Sequence, residues 1–340
     1  MRLGNFFRNI WQLFRKRPQR PPDIRDAGLE FISGPVPNPE QEGWYVFSTV
    51  RNERLRLPYF LHFYREMGAK LFIIADNQSQ DGTTAYLQGQ LDVLLFQARG
   101  SFSESKCGID WWNALLYQFG QNRWCLTVDA DELLVFPHCE QLELLDLTRY
   151  LEARGANALP TFLLDMYSRE PIRKAVYQAG TPFLSVCPFF DSTGYLKQEK
   201  RGPTRNLPTR GGPRYRLFWE RCIREKPSPL LPKIPLVRWS KNLYYTSNHH
   251  ISNAQISDIT GVLLHFKFFA DFPAYVEEEI NRREHFNSAS QYDAYWEVIS
   301  KQPDMRAFYE GSMHYNGTRQ LMEIGLMNSS KAFDLLVRPG

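Results

Sequence analysis

From residue 43 onward, apolar and polar residues alternate in blocks. "WYVFSTV" (44–50), "KLFIIAD" (70–76), "DVLLFQA" (92–98) and "WCLTVDADELLVF" (124–136) are short runs rich in β-branched, aromatic and aliphatic residues. Such runs are the pattern of strands buried on both faces. Between them, residues 56–68, 81–90 and 105–120 carry helical spacing. Gly68 is placed as a C-cap, Asp81-Gly82 is a turn signal, and Gly89 limits the second helix. Strand–helix alternation with short connections predicts an α/β fold: a mainly parallel central sheet with helices on both faces. In such sheets ligands bind at the carboxyl ends of the strands.

The second half is less regular. Residues 151–168 read as a helix followed by a strand, and 258–269 as a strand carrying His265 and Lys267. Residues 271–286 read as a helix with Asp271 as cap and Pro273 in its first turn. Residues 187–232 are rich in Pro, Gly, Arg and aromatics, as in "KRGPTRNLPTRGGPRYRLFW", and are expected to be a long irregular region over a site. There is no internal repeat. The expected organisation is an N-terminal arm (1–40), one α/β domain (41–300) and a C-terminal helical extension (301–340).

Polar residues gather where the predicted strands end. The first ends at Arg51-Asn52-Glu53, the second at "ADNQSQDGT" with Asp76 first, and the fourth at Asp129-Ala130-Asp131. Acidic strand ends converging on one edge are a stronger signal than any one of them. Asp129, Asp131 and Glu132 also interrupt an apolar run, where a bare charge is very costly. Two carboxylates at this spacing suit a hard divalent cation able to bridge to phosphate oxygens, with a solvated surface turn as the alternative.

The chain has 340 residues, 43% of them hydrophobic and 14% aromatic, which excludes global disorder. A net charge of +4 gives no concentrated basic stripe, so a nucleic-acid partner is not expected. The five cysteines (107, 125, 139, 187, 222) include no C-x-x-C pair, which argues against structural zinc and a disulfide framework and for a reducing, cytoplasmic setting. "MRLGNFFRNIWQLFRKRPQRPP" mixes apolar residues with six basic ones (Arg2, Arg8, Arg15, Lys16, Arg17, Arg20). It lacks the features of a signal peptide and is too short and too charged to span a bilayer. It allows a basic amphipathic helix on an anionic membrane face through residues 1–20, a helix packed on the body, or a frayed arm.

In order, "TVRNE", "IIADNQSQDGT" and "LTVDADELLVF" resemble the family 2 glycosyltransferases, in the bacterial branch with R-N-E, D-N-x-S-x-D-G-T and D-x-D-E motifs. "KIPLVRW" and "TSNHHISNAQISDITGVLLHFKFFADF" extend the resemblance over residues 44–300. It implies a nucleotide-sugar-binding domain of the GT-A type. Asp76 matches the acid that contacts the donor base, and Arg51, Asn52 and Glu53 the first nucleotide-contacting strand end. Asp129 and Asp131 match the metal and diphosphate motif, with Asp131 the direct ligand and Glu132 in support. His265 matches a histidine that completes the metal site, which places Lys267 near the diphosphate. The implied activity is Mn²⁺- or Mg²⁺-dependent transfer of a sugar from a UDP-linked donor to a glycan or lipid-linked glycan, a surface polysaccharide or lipopolysaccharide built at the inner membrane face.

The chemistry of such a transfer adds further candidates. A cation held by carboxylates stabilises a leaving diphosphate, and Arg and Lys side chains supplement it. Arg201, Arg205, Arg210, Arg214, Arg216, Lys233 and Arg238 supply cations in the irregular half, with Lys233 and Arg238, which flank "IPLV", preferred. Lys106 lies near the start of the third helix, beside the sugar or phosphate or on a solvated face. An inverting transferase needs a base. The usual E-D pair is missing, and Asp165 in "LLDMYS" leads, ahead of Glu170 and Asp191. One of His249 and His250 is expected at the acceptor side, and the tryptophans 111, 112, 219 and 239 stack on sugars or fill the core. Two rival readings are a non-catalytic nucleotide-sugar-binding protein on the same fold and a haloacid-dehalogenase-type phosphohydrolase. The D-x-D of the hydrolases opens the first strand, whereas this one ends the fourth.

Overall fold

The computed structural model describes residues 23–38, 40, 42–197, 207–220 and 228–337, apart from the side chains of 286–288. The basic arm at residues 1–20, Arg201, Arg205 and Cys222 lie outside the described residues. The first half runs β1 (Leu29–Ser33), β2 (Tyr45–Val50), α1 (Leu57–Glu66), β3 (Leu71–Asp76), α2 (Thr83–Gln88), β4 (Val93–Ala98), α3 (Ile109–Phe119), β5 (Trp124–Thr127), β6 (Glu132–Val135), α4 (Leu144–Ala153) and β7 (Ala158–Asp165). The second runs β8 (Phe189–Asp191), β9 (Tyr195–Lys197), β10 (Pro208–Gly211), α5 (Gly212–Phe218), β11 (Pro232–Arg238), β12 (Tyr245–Ser247), β13 (His250–Ile251), β14 (Val262–His265), α6 (Phe272–Arg282), α7 (Phe286–Ile299), β15 (Ser312–His314), α8 (Thr318–Glu323) and α9 (Lys331–Asp334).

Nine strands form one sheet in the order β1-β4-β3-β2-β5-β11-β7-β14-β6. β4, β3, β2 and β5 are mutually parallel, as are β7 and β14, while β1, β11 and β6 pair antiparallel with their neighbours. This is the expected α/β architecture with a mainly parallel sheet. The period of two decides which helix each strand residue meets. Val46, Phe72, Ile74 and Leu126 face α1 and α4. Tyr45, Phe47, Ile73 and Cys125 face α3. In α1 the buried positions Leu57, Phe60, Leu61 and Tyr64 follow helical spacing, and Pro58 stands in the first turn, where its missing N–H costs nothing.

The run 124–136 is two strands, not one. β5 stays beside β2, whereas β6 lies at the far edge against β14. Residues 128–131 cross between them, tied by the Val128 N–H to the Phe47 carbonyl (3.2 Å) and by the Phe266 N–H to the Asp131 carbonyl (2.8 Å). The D-x-D thus sits in a chain crossing, not on a strand. The free edge of β6 is closed by the fully buried Tyr64 of α1. Its hydroxyl donates to the Glu132 carbonyl (2.9 Å) and accepts from the Leu134 N–H (3.0 Å).

The irregular second half is more ordered than its composition suggests. β11 enters the centre of the sheet although it contains Pro235, which a central strand ordinarily excludes. Its ladder with β7 shifts register between Lys233 and Leu236, and the Pro235 carbonyl accepts instead from the Thr127 hydroxyl (3.2 Å). α6 and α7 form an aromatic cluster with Phe218, Trp219, Tyr292 and Tyr295. The expected extension beyond residue 300 packs into the main core through Leu321, Leu326, Met327 and Phe333, and β15 pairs with β8. Among the described residues no helix is long and apolar enough to cross a membrane.

Replacing Tyr64 with Phe leaves two buried backbone groups at the β6 edge without their partner. We expect the variant to fold and to lose about 1–3 kcal/mol in denaturant unfolding. Unchanged stability would mean that the hydroxyl does not hold this edge.

Candidate functional site

Strand direction brings the candidate side chains together. Val50 and Asp76 end β2 and β3, Asp165 ends β7, His265 ends β14, and Glu132 begins the opposed β6. Register is specific here: His265 pairs with Asp165 on one side and with Glu132 on the other. Facing residues in neighbouring strands point to the same side of a sheet, so this row places carboxylate, imidazole and carboxylate next to one another.

The imidazole is held from behind. Its Nδ1 lies 2.5 Å from Asp165 Oδ1, and Asp165 Oδ2 accepts from Arg214 Nε at 2.7 Å. His265 Nε2 is 3.3 Å from Asp131 Oδ2. Burial works against charge on His265, but Asp131 and Asp165 outweigh it and raise its pKa. Burial likewise opposes the Asp131 carboxylate, and His265, Lys267 and Arg56 overcome that and hold its pKa well below the usual range. Among the described residues, Asp131, Glu132 and His265 offer donor atoms within 4.8 Å of one another, a group able to hold a metal ion. Asp129 is not in it. Its carboxylate binds Lys233 Nζ at 2.8 Å.

Lys233, expected at a diphosphate, is buried between Asp129 and Glu132 and neutralises both. Burial pushes the Glu132 carboxyl up to about 7 against the pull of Lys233. Arg238 does not belong to the site. It lies at the other end of β11, five residues and roughly 17 Å along an extended strand, exposed and paired with Glu152 at 3.1 Å. Asp165 is 1% exposed with both oxygens engaged, so it is not placed to deprotonate an acceptor. It orients the histidine instead.

Asp76 also turns away. It is 1% exposed, its Oδ1 accepts from the Ser79 N–H (3.0 Å) and hydroxyl (2.6 Å), and its Oδ2 binds the Thr84 hydroxyl. The residue that reaches the cleft from this strand end is Asn77. The first two motifs bind each other. Arg51 donates to the Asn77 and Gln78 carbonyls at 2.7 and 3.0 Å. Asn52 accepts from the Gln80 N–H, the Glu53 N–H donates to the Thr83 hydroxyl, and the Arg54 N–H donates to Asp81. Asn52 and Gln78 are left-handed (φ 53° and 59°), which this interlocking maintains.

A cleft of about 1400 Å³ opens above these ends. Arg51, Glu53, Lys106, Asp129, Asp131, His265 and Lys267 all line it. Lys106 is left-handed (φ 55°) and paired with Asp110 at 2.7 Å. Lys267 lies 5.1 and 5.8 Å from the Tyr275 and Tyr292 rings, and burial lowers its pKa. Burial also raises the Glu53 carboxyl to about 8 in spite of Arg56. Sequence reasoning missed Arg56, an internal cation bound bidentately by Asp271. It likewise gave no role to Tyr275, Glu279 or Arg282, which the α6–α7 pair brings over the cleft. An arginine inside an apolar helix start, as in "RLRLPYF", was the one available signal. Of the two adjacent histidines, His249 lines the cleft, its Nδ1 2.7 Å from the Pro232 carbonyl, while His250 is exposed.

No family model matches the chain, and no curated protein matches it. Among solved structures it is similar to a glucose-1-phosphate thymidylyltransferase from Bacillus anthracis (9% identity, 86% of this chain and 98% of that one, TM-score 0.28). It is also similar to a UDP-glucose pyrophosphorylase from Acinetobacter baumanii (8%, 75% and 82%, TM-score 0.28). A third is a 4-diphosphocytidyl-2C-methyl-D-erythritol synthase (10%, 84% and 99%, TM-score 0.26). None of the three is a glycosyltransferase by description, and likeness at this level says nothing about activity.

Burial lowers the His249 pKa to about 4, whereas an unfolded histidine titrates near 6.5. Between these values the unfolded chain binds the extra proton and the folded one does not, so this residue removes stability as the pH falls from about 6.5 to about 4. His249→Gln should flatten that part of the acid decline in thermal midpoint. Parallel pH curves for the variant and the parent would contradict a buried neutral histidine.

Proposed function

We propose that this protein is a metal-dependent glycosyltransferase of the GT-A type. It moves a sugar from a UDP-linked donor to a hydroxyl of a glycan or lipid-linked glycan. The observation that carries the reading is the Asp165–His265–Asp131 arrangement at the carboxyl edge, beneath a cleft large enough for a donor and an acceptor. A histidine whose far nitrogen is fixed by a buried carboxylate, and whose near nitrogen faces a second carboxylate, has the form of a metal ligand pair with its supporting partner.

Asp131 and His265 would hold the ion, with Glu132 behind them tied to Lys233. One nitrogen among carboxylate oxygens suits Mn²⁺ better than Mg²⁺, which prefers oxygen alone. The bound ion would supply Lewis-acid stabilisation of the departing diphosphate. The chain's own residues do the rest. Lys106 and Lys267 add positive charge along the cleft. Arg51 and Asn52 fix the wall against which the nucleotide lies, and Tyr275 and Tyr292 keep water from the space between. Of the carboxylates that face the cleft, Glu53 and Asp129 are in a position to take the acceptor proton, whereas Glu279 is buried between Arg282 and His285. The motif order favours this reading over a phosphohydrolase, since no aspartate here follows the first strand as a nucleophile.

Mn²⁺ with UDP should raise the thermal midpoint, and neither should do so alone to the same extent. Asp131→Ala and His265→Ala should abolish the joint effect. No response to any nucleoside diphosphate, with or without metal, would overturn the donor site. Asp165→Asn separates two roles. As a positioning residue it should weaken Mn²⁺ binding by about 10–100-fold in a direct titration. A loss of turnover with unchanged Mn²⁺ affinity would make it the base after all.

A further inference from the structure

α6 and the turn after it roof the nucleotide end of the cleft, and the two halves of this helix are held by different forces. The N-terminal half is embedded. Phe272 and Val276 are buried with Phe268, Tyr292 and Tyr295 in an apolar cluster separate from the two that flank the sheet. Asp271, just ahead of the helix, binds both terminal nitrogens of the buried Arg56 at 2.9 Å. The C-terminal half meets the sheet through charged side chains. Glu278 accepts from Arg51 Nε (3.3 Å) and Asn52 Nδ2 (3.0 Å) beyond β2. Arg282 donates to Asn77 Oδ1 (3.2 Å) beyond β3. Glu284 accepts from the Phe102 N–H (2.6 Å) and the Ser101 hydroxyl (3.3 Å) beyond β4. β2, β3 and β4 are neighbours in the sheet, so the contacts run along one seam. Arg51, Asn77 and Phe102 on one side of it and Glu279, Arg282 and His285 on the other all line the cleft.

We infer that the C-terminal half of α6, with residues 283–285, is a roof latched shut by Glu278, Arg282 and Glu284, and that a nucleotide enters and leaves the cleft when this latch opens. That the passenger is a nucleotide rests on the donor-site reading, whereas the latch itself does not. The asymmetry of the helix gives the roof its pivot. Apolar burial and the Arg56–Asp271 pair fix one end, and opening there would expose the aromatic cluster to water. The other end has little to lose. The Glu278 and Arg51 side chains are 36% and 21% exposed. Ion pairs in such positions contribute little and are screened by salt. Elements that open to admit a ligand are drawn from the weakly held parts of a fold. Once a nucleotide lies against the Arg51–Asn77 wall, the same contacts close over it and slow its release.

The first measurement needs no ligand. Hydrogen exchange at the Phe102 amide, which Glu284 covers, reports how often the seam opens. In the full-length protein Glu278→Ala should speed this exchange about two- to fivefold. Glu278 binds a different strand end, so the effect requires the contacts to open together. Glu277→Ala removes the same charge from the exposed neighbouring position and should leave the exchange as in the parent. Raising NaCl from about 0.1 M to about 1 M should speed exchange in the parent and do so less in Glu278→Ala. The second measurement is stopped-flow binding of UDP in the presence of Mn²⁺. Glu278→Ala should raise the association and dissociation rates by the same factor, about two- to fivefold, and leave Kd near the parent value. A residue that only shapes the bound state would change Kd through dissociation alone. Unchanged Phe102 exchange in Glu278→Ala, or an equal rise in Glu277→Ala, would overturn the latch. Faster exchange with unchanged UDP rates, or with a change confined to dissociation, would overturn its control of nucleotide passage. Failure of UDP to bind would count against the donor reading, and the exchange result would still decide the latch.

Discussion

One buried carboxylate organises this molecule's chemistry. Asp165 at the end of β7 holds the His265 imidazole on one oxygen and the Arg214 guanidinium on the other. A charge taken this far out of water persists only with partners of that kind, and removing one leaves the others uncompensated. The imidazole is therefore fixed in orientation, with Nε2 directed at Asp131. Everything else in the site is placed relative to that nitrogen.

The placement comes from sheet register, not from local sequence. Asp165, His265 and Glu132 are far apart in the chain but directly opposite one another across three strands. A slip of one residue in β14 would turn His265 to the other face. The crossing from β5 to β6 then carries Asp129 and Asp131 over the strand ends, and Lys233 from the antiparallel β11 lies between Asp129 and Glu132. The R-N-E and D-N-Q-S-Q-D-G-T segments contribute in a different way. Most of their polar groups bind each other, and they form a rigid wall rather than a set of free ligands.

Much of this was legible in the chain. Buried strands and helical spacing were enough for the α/β class; the placing of His265 beside Asp131 came from the motif resemblance, and the two side chains lie 3.3 Å apart. Three kinds of information were not. A strand break inside a continuous apolar run leaves no trace when both halves are buried, so 124–136 read as one strand. β11 was hidden by Pro235, whose cost is relieved by a register shift visible only in three dimensions. The direction in which an acid points depends on partners distant in sequence. Asp76 and Asp165 therefore looked like free ligands although hydrogen bonds engage them both, and Arg238 looked near the site although its strand runs away from it. Arg56 and the α6–α7 aromatics reach the cleft only through tertiary packing, and no local spacing reveals that.

The most direct test is crystallographic. Crystals soaked with Mn²⁺ and UDP should give an anomalous peak bonded to Asp131 and His265 Nε2, with Asp165 still on His265 Nδ1 and the diphosphate against the ion. A manganese ion elsewhere, or a His265 ring released from Asp165 with no metal on Nε2, would contradict the account.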